Sequence, residues 1–144
     1  MIRIVLDSNV LVSGSISVSG TIVELLDAWT AQQIVVALSA PILIEVERTL
    51  GEPYFIARIG QRRVQQYLSR IYRRAELVEV AGVVTGAATH PADDLILATA
   101  VAGNVDYLVT GDRQLLALGE YDGIQIVSPA TFMDILRSQD MTLP

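Results

Sequence analysis

Ile2-Arg3-Ile4-Val5-Leu6-Asp7-Ser8-Asn9 is a short β-branched, apolar run that ends on a carboxylate. Its unbroken apolar core, Ile4-Val5-Leu6, is the pattern of a strand covered on both faces, as in a parallel sheet flanked by helices. Similar runs recur further along the chain, and strands are expected at Ile2–Leu6, Ile34–Ala37, Leu77–Val80, Asp106–Thr110 and Ile124–Val127. Longer helical stretches separate them. Thr21, with Glu24 three residues on, has the form of a capping box and opens a helix through about Thr30. Ser39 and Pro41 start another that runs to Leu50, where Gly51 and Pro53 stop it. A polar, arginine-rich helix fills Gln61 to Arg74. Asp93-Asp94 open an apolar helix ending near Gly103-Asn104, and Ser128-Pro129 start the last, near Pro129–Arg137. The alternation predicts an α/β fold: three layers, α/β/α, around a central, mainly parallel five-stranded sheet.

The 144 residues form a single expected domain, 1–144, with 51% hydrophobic and 18% charged side chains, a composition that excludes disorder. The longest nearly unbroken apolar stretch, Leu95 to Gly103, is far shorter than the roughly 18 to 20 residues of a spanning helix, so no membrane partner is expected. The first residues lack the pattern of a signal peptide. With no cysteine, thiolate metal sites and disulfides are excluded, and a cytoplasmic location is the default expectation. The net charge is −6, yet all ten basic residues are arginines, and six of them (Arg58, Arg62, Arg63, Arg70, Arg73, Arg74) crowd a stretch without a single acid. That stretch reads either as a solvated helix face or as a phosphate-binding one. Arg70, Arg73 and Arg74 are its candidate phosphate contacts to a nucleic acid.

The carboxylates carry the chemistry. Asp7 follows the first strand, and Asp112 follows a later one in Leu108-Val109-Thr110-Gly111-Asp112. Ligands of open α/β sheets bind at the carboxyl ends of strands, so both acids emerge where such sites form. Asp93 and Asp94 begin the helix that precedes that later strand, and Glu45 borders the buried stripe of its own helix. Each acid also has an ordinary reading: Asp112 and Asp93 or Asp94 as helix caps, Asp7 as a turn residue, Glu45 as half of a surface pair. Acids gathered on one edge repel unless a divalent cation joins them, and an all-oxygen donor set suits Mg²⁺ or Mn²⁺ better than Zn²⁺. Such an ion activates water and neutralises a phosphodiester, which is hydrolase chemistry. His90, beside Pro91 in a Gly-, Ala- and Thr-rich loop from Ala81 to Ala92, reads as an exposed residue. Asp27, Glu47, Glu76, Glu79, Glu120, Asp134 and Asp140 read as surface acids.

In order along the chain, Asp7-Ser8-Asn9-Val10, Glu45 in Glu45-Val46-Glu47-Arg48, Asp93-Asp94-Leu95-Ile96-Leu97-Ala98-Thr99-Ala100, and Thr110-Gly111-Asp112 resemble the four acidic motifs of the PIN-domain nucleases. The likeness is nearest to the VapC-like toxins. It implies that Asp7, Glu45, Asp93 and Asp112 hold Mg²⁺ or Mn²⁺ and form the catalytic site, with Asn9, Thr110 and Asp94 in support. It further implies RNA as substrate, an antitoxin protein as partner and a homodimer. A PIN fold that binds metal or RNA without cutting is the alternative. Phosphatases of the haloacid-dehalogenase type and receiver domains pair their acids with a lysine, which this chain lacks. Gly14-Ser15-Ile16-Ser17-Val18-Ser19-Gly20 matches no phosphate-binding glycine motif and is expected to be a flexible loop.

Overall fold

In a computed structural model, which describes residues 1–80 and 91–142, the chain alternates β and α elements around one sheet. In order these are β1 (Ile2–Leu6), α1 (Ser8–Ile16), α2 (Thr21–Thr30), β2 (Ile34–Leu38), α3 (Ala40–Leu50), α4 (Pro53–Ile59), α5 (Gln61–Arg74), β3 (Glu76–Leu77), α6 (Pro91–Ala102), β4 (Tyr107–Val109), α7 (Arg113–Leu118), β5 (Glu120–Tyr121), β6 (Ile124–Val127) and α8 (Pro129–Thr142). His90 and the expected loop from Ala81 onward lie outside the described residues.

The strands are ordered β3-β2-β1-β4-β6-β5, and every neighbouring pair is parallel except the β5–β6 hairpin. The sheet therefore has six strands rather than the five expected. The sixth, β5, is two residues long and turns back through Asp122 and Gly123, both at positive φ (52° and 80°), the backbone of a tight hairpin. Successive residues of a strand point to opposite faces, so the complete burial of Ile4, Val5 and Leu6 in a row means that both faces are covered. The fold is thus a three-layer sandwich, as expected. From β1 the chain winds one way through β2 and β3, then crosses to β4 and winds the other way. The winding reverses between β1 and β4, and the crevice at such a reversal, at the carboxyl ends of the strands, is where open α/β sheets place ligands.

Several local readings change. The capping box is not formed: Gly20, at φ 100°, takes the cap position, Thr21 is already helical, and Glu24 pairs instead with Arg137 of α8. Ser39 stands at the cap of α3, but its hydroxyl bonds Thr99 Oγ1 at 2.7 Å rather than the helix end. Helix α6 starts at Pro91, two residues before Asp93, and α8 continues past Arg137 to Thr142. Strand β3 lies at Glu76–Leu77 instead of Leu77–Val80. Of the expected loop from Gly14 to Gly20, Gly14 to Ile16 belong to the last turn of α1, and Ser17 to Gly20 form the connection to α2.

Glu76 is no ordinary surface acid. The Arg3 guanidinium donates to both Glu76 oxygens (2.9 and 2.6 Å) and to the Gly103 carbonyl (3.2 and 2.8 Å), while the Arg3 backbone N–H reaches Asp106 Oδ2 at 2.9 Å. This clasp ties β1 to the far strand β3 and to the end of α6. The hydrogen bond from Arg3 holds the Glu76 carboxyl below its ordinary pKa. A carboxyl lowered by folding adds stability above its unfolded pKa and loses it as pH falls through the folded value. Because the pair is half exposed, its worth stays below about 1 kcal/mol. Glu76→Gln is expected to lower the urea midpoint slightly at neutral pH and not at all near pH 3; an equal loss at both would remove the electrostatic account.

Candidate active site

Asp7 stands between β1 and α1, in extended conformation (φ −61°, ψ 147°) at the cap position of the helix. Its backbone N–H continues the sheet, donating to Val109 O at 3.0 Å, and its carbonyl accepts from the Val10 and Leu11 N–H groups that start α1. The side chain does not cap the helix. It is 5% exposed and is held by two hydroxyls: Thr110 donates to Oδ2 at 2.7 Å and Ser8 to Oδ1 at 3.3 Å. No arginine pairs with it; the ion pairs found among the described residues involve Arg3 and Arg137 alone. A carboxylate buried without a cation is costly, and two neutral hydroxyls plus the positive end of α1 offset that only in part.

Thr110 follows β4 directly and is fully buried. Its Oγ1 gives its proton to Asp7 and accepts the Asp112 backbone N–H at 3.0 Å, so one hydroxyl joins the ends of β1 and β4 across the winding reversal. Asp112 then caps α7: its Oδ1 accepts from Gln114 N at 2.8 Å and Leu115 N at 3.3 Å. The cap fixes the side chain, and since both bonds fall on Oδ1, it leaves Oδ2 outside the cap.

Glu45 lies half-buried in α3, one position before the buried Val46. Asp93 and Asp94 occupy the first turn of α6, also half-buried, with Asp93 Oδ2 turned away from solvent. Helices α3 and α6 are latched together by the Ser39–Thr99 bond, in which Thr99 gives its own proton to Leu95 O at 2.8 Å and so leaves Ser39 as donor. Asn9 is exposed on the first turn of α1. The structure thus joins Asp7, Thr110 and Asp112; among the described residues, no three His, Cys, Asp or Glu side chains close up into a group that could hold a metal ion. Ser8 was not legible as a contributor beforehand, although a hydroxyl beside a strand-ending Asp is a ready donor to it. Arg70, Arg73 and Arg74 are exposed on α5, away from this pair of acids in the chain and on a separate helix.

The sequence profile of the PIN domain family matches residues 3–114. No curated protein matches the chain significantly. Among solved structures, the protein PAE2754 from Pyrobaculum aerophilum superposes with a TM-score of 0.69 at 16% identity, over 96% of this chain and 91% of that one. VapBC2 from Rickettsia felis, solved bound to a DNA fragment from their promoter, gives 0.61 at 15% identity, over 88% of this chain and 98% of that one. At such identities the structural likeness speaks for the fold, with which the observed winding and layers agree. The profile goes further, since it runs from β1 through the cap of α7 and so spans Asp7, Glu45, Asp93, Thr110 and Asp112: the chain belongs to the PIN-domain family, whose members are generally nucleases.

Proposed function

We propose that the protein is a divalent-metal-dependent endoribonuclease, the toxin of a toxin–antitoxin pair, in which Asp7, Glu45, Asp93 and Asp112 hold Mg²⁺ or Mn²⁺. The observation that carries this reading is the buried Asp7 carboxylate, without a cationic partner among the described residues and bonded through Thr110 to Asp112 at the winding reversal. The donor set fits a hard cation, being oxygen throughout, with no cysteine in the chain and one histidine. When bound, the ion supplies an activated water and neutralises the phosphodiester. The chain's own residues prepare the place: α1 and α7 present their N-terminal ends beside Asp7 and Asp112, Asp94 and Asn9 stand next to the proposed ligands, and Thr110 orients the two acids. An antitoxin partner, a homodimer and a cytoplasmic setting complete the proposal. No single helix among the described residues is long and apolar enough to cross a membrane.

The second reading, a PIN fold that binds without cutting, draws on the lack of a closed three-acid group among the described residues. Cleavage of single-stranded RNA with Mn²⁺, with and without chelator, separates the two. Cutting that stops on chelation sustains the nuclease; no cutting at any metal concentration, by a folded protein, favours the scaffold.

Thr110 is a positioning residue in this scheme. Thr110→Val is expected to slow cleavage about 10- to 100-fold and to raise the Mn²⁺ concentration needed for half-maximal rate. It also removes a donor from a buried carboxylate, at a stability cost of about 1–3 kcal/mol. Thr110→Ser, which keeps the hydroxyl, should restore both rate and metal dependence. A Val variant with unaltered metal dependence would reduce Thr110 to a core residue.

A further inference from the structure

Helix α5 lies against α1 near the proposed site: Tyr67 of α5 donates its hydroxyl to Leu11 O at 2.5 Å, one turn of α1 beyond Asp7. Beyond that contact a groove of about 720 Å³ opens between α5, the last turn of α1, α2 and the end of α4. Arg58, Arg63, Arg70 and Arg74 line it, and Asp27 is the one acid among its described lining residues. A second hollow, about 780 Å³, lies on the other flank of α5 between Arg62, Gln65, Gln66, Ser69, Arg70 and Arg73.

These arginines are little engaged within the chain: the one hydrogen bond seen for them among the described residues runs from Arg73 Nε to Ser69 O at 3.4 Å. Among the described residues none of the six forms an ion pair, in a chain with sixteen acids and a net charge of −6. Arg70 and Arg74, four apart on α5, repel along the helix instead. Two are held ready by rings: Arg58 sits 4.3 Å from the Tyr54 ring centre and Arg70 5.9 Å from that of Tyr67. Arginine without lysine suits the two-pronged recognition of phosphate. An acidic amphipathic protein segment would also seek positive charge, but it needs an apolar floor along its whole course. The second hollow is lined by Arg, Gln and Ser alone, so its apolar surface is only the stems of those side chains and no apolar residue forms a floor there. A flexible polyphosphate backbone can use both flanks.

We infer that α5 is the track for the backbone of single-stranded RNA, with Arg63, Arg70 and Arg74 gripping phosphates a few nucleotides from the bond cut beside Asp7. This rests on the nuclease reading for what happens at Asp7, but the grip itself is electrostatic. On α1 the groove is lined from Gly14 to Ile16, about 10 to 14 Å from Asp7 along the helix axis, short enough for one strand to reach both.

The test is fluorescence anisotropy of a labelled single-stranded RNA of about 20 nucleotides, in chelator so that nothing is cut, across about 50 to 200 mM salt. Arg63→Ala/Arg70→Ala/Arg74→Ala is expected to bind about tenfold more weakly or worse at the low-salt end, and to flatten the slope of log affinity against log salt by about 2, three phosphates at about 0.7 each. Alanine at exposed helix positions favours the helix, and an unchanged circular-dichroism melt confirms the fold. Arg137→Ala, whose cation already pairs with Glu24, should leave the slope as it is. An unaltered slope in the triple variant overturns the track. So does a polyglutamate of matched length that displaces RNA from wild type as well as RNA itself does, which would assign the groove to an acidic protein segment. Wild type that binds with the expected slope yet never cuts in Mn²⁺ sustains the track and sinks the nuclease reading. Wild type and triple variant that cut and bind alike do the reverse.

Discussion

Asp7→Asn is expected to cut RNA at least a hundredfold more slowly than wild type while melting no lower. The two halves of that expectation come from the same feature. Loss of a group that merely orients a metal ligand lowers affinity or activity about 10- to 100-fold, and a direct ligand should matter no less. Stability moves the other way. A buried carboxylate without a counter-charge is a burden on the fold, and the isosteric amide keeps an acceptor for Thr110 while shedding the charge. Mn²⁺ gives a readout apart from cutting. At a hundred times its dissociation constant, a bound ligand stabilises the folded state by about 2.7 kcal/mol. For a chain of this size that corresponds to a rise of about 5 to 10 °C in the wild-type melting midpoint. Asp7→Asn should show little of this rise. A variant that melts well below wild type, with no metal effect in either protein, would mean that Asp7 serves the strand–helix junction and nothing else. A metal-induced rise in wild type without cleavage would favour the scaffold reading.

How much of this was legible beforehand depends on the reach of the forces involved. Burial on both faces writes itself into consecutive apolar residues, so β1, β2 and β4 were readable from runs such as Ile4-Val5-Leu6 and Tyr107-Leu108-Val109, while β6 was readable from the alternation of buried Ile124 and Ile126 with exposed Gln125. The carboxyl-end rule then placed Asp7 and Asp112 at one edge, and the structure joins them through a hydroxyl. Asp112 satisfies its ordinary reading as a cap at the same time, because a cap at a strand end is one way to immobilise an acid there. Short elements escaped for local reasons. Asp122-Gly123 is a strong hairpin signal, but the strand before it is only two residues long and too brief to show a period. Pro53 ends α3 and also begins α4 as its first residue, and a reading that uses proline only as a stop misses the second role. Thr21 and Glu24 have the spacing of a capping box, yet Gly20 reaches a backbone conformation that favours glycine and takes the cap position one residue earlier. Gathering Glu45 and Asp93 with the other two acids depends on how α3 and α6 settle over the sheet, which no local pattern records.

Helix α1 is the largest local misreading, and it yields the largest stability effect. Ser8-Asn9-Val10-Leu11-Val12-Ser13-Gly14-Ser15-Ile16 is poor in helix formers, so packing rather than propensity holds it helical. Gly14 marks where that packing is tightest: a Cβ there would lie 2.6 Å from Leu26 Cδ1 and 2.7 Å from the Tyr67 hydroxyl. Leu26 can rotate away. Tyr67 cannot easily do so, because its half-buried ring packs against the core and its hydroxyl is committed to Leu11 O. Burial also pushes the Tyr67 pKa up, so the hydroxyl stays a donor at any ordinary pH. In an exposed helix Gly→Ala would gain about 1 kcal/mol. Here overpacking costs about 1–3 kcal/mol, and displacing the tyrosine forfeits a further 1 kcal/mol or so of hydrogen bonding. Gly14→Ala should therefore lose about 1–3 kcal/mol net, a fall of about 2 to 12 °C in melting midpoint. Tyr67→Phe removes the clashing oxygen along with the bond to Leu11. Alone it should cost about 1 kcal/mol, but combined with Gly14→Ala it should cost clearly less than the sum of the two, the coupling expected of side chains in contact. Strict additivity would show that the two helices are not pressed together at Gly14. A Gly14→Ala protein more stable than wild type would go further, since the wall that α1 and α5 share with the arginine groove would then lack the close approach described for it.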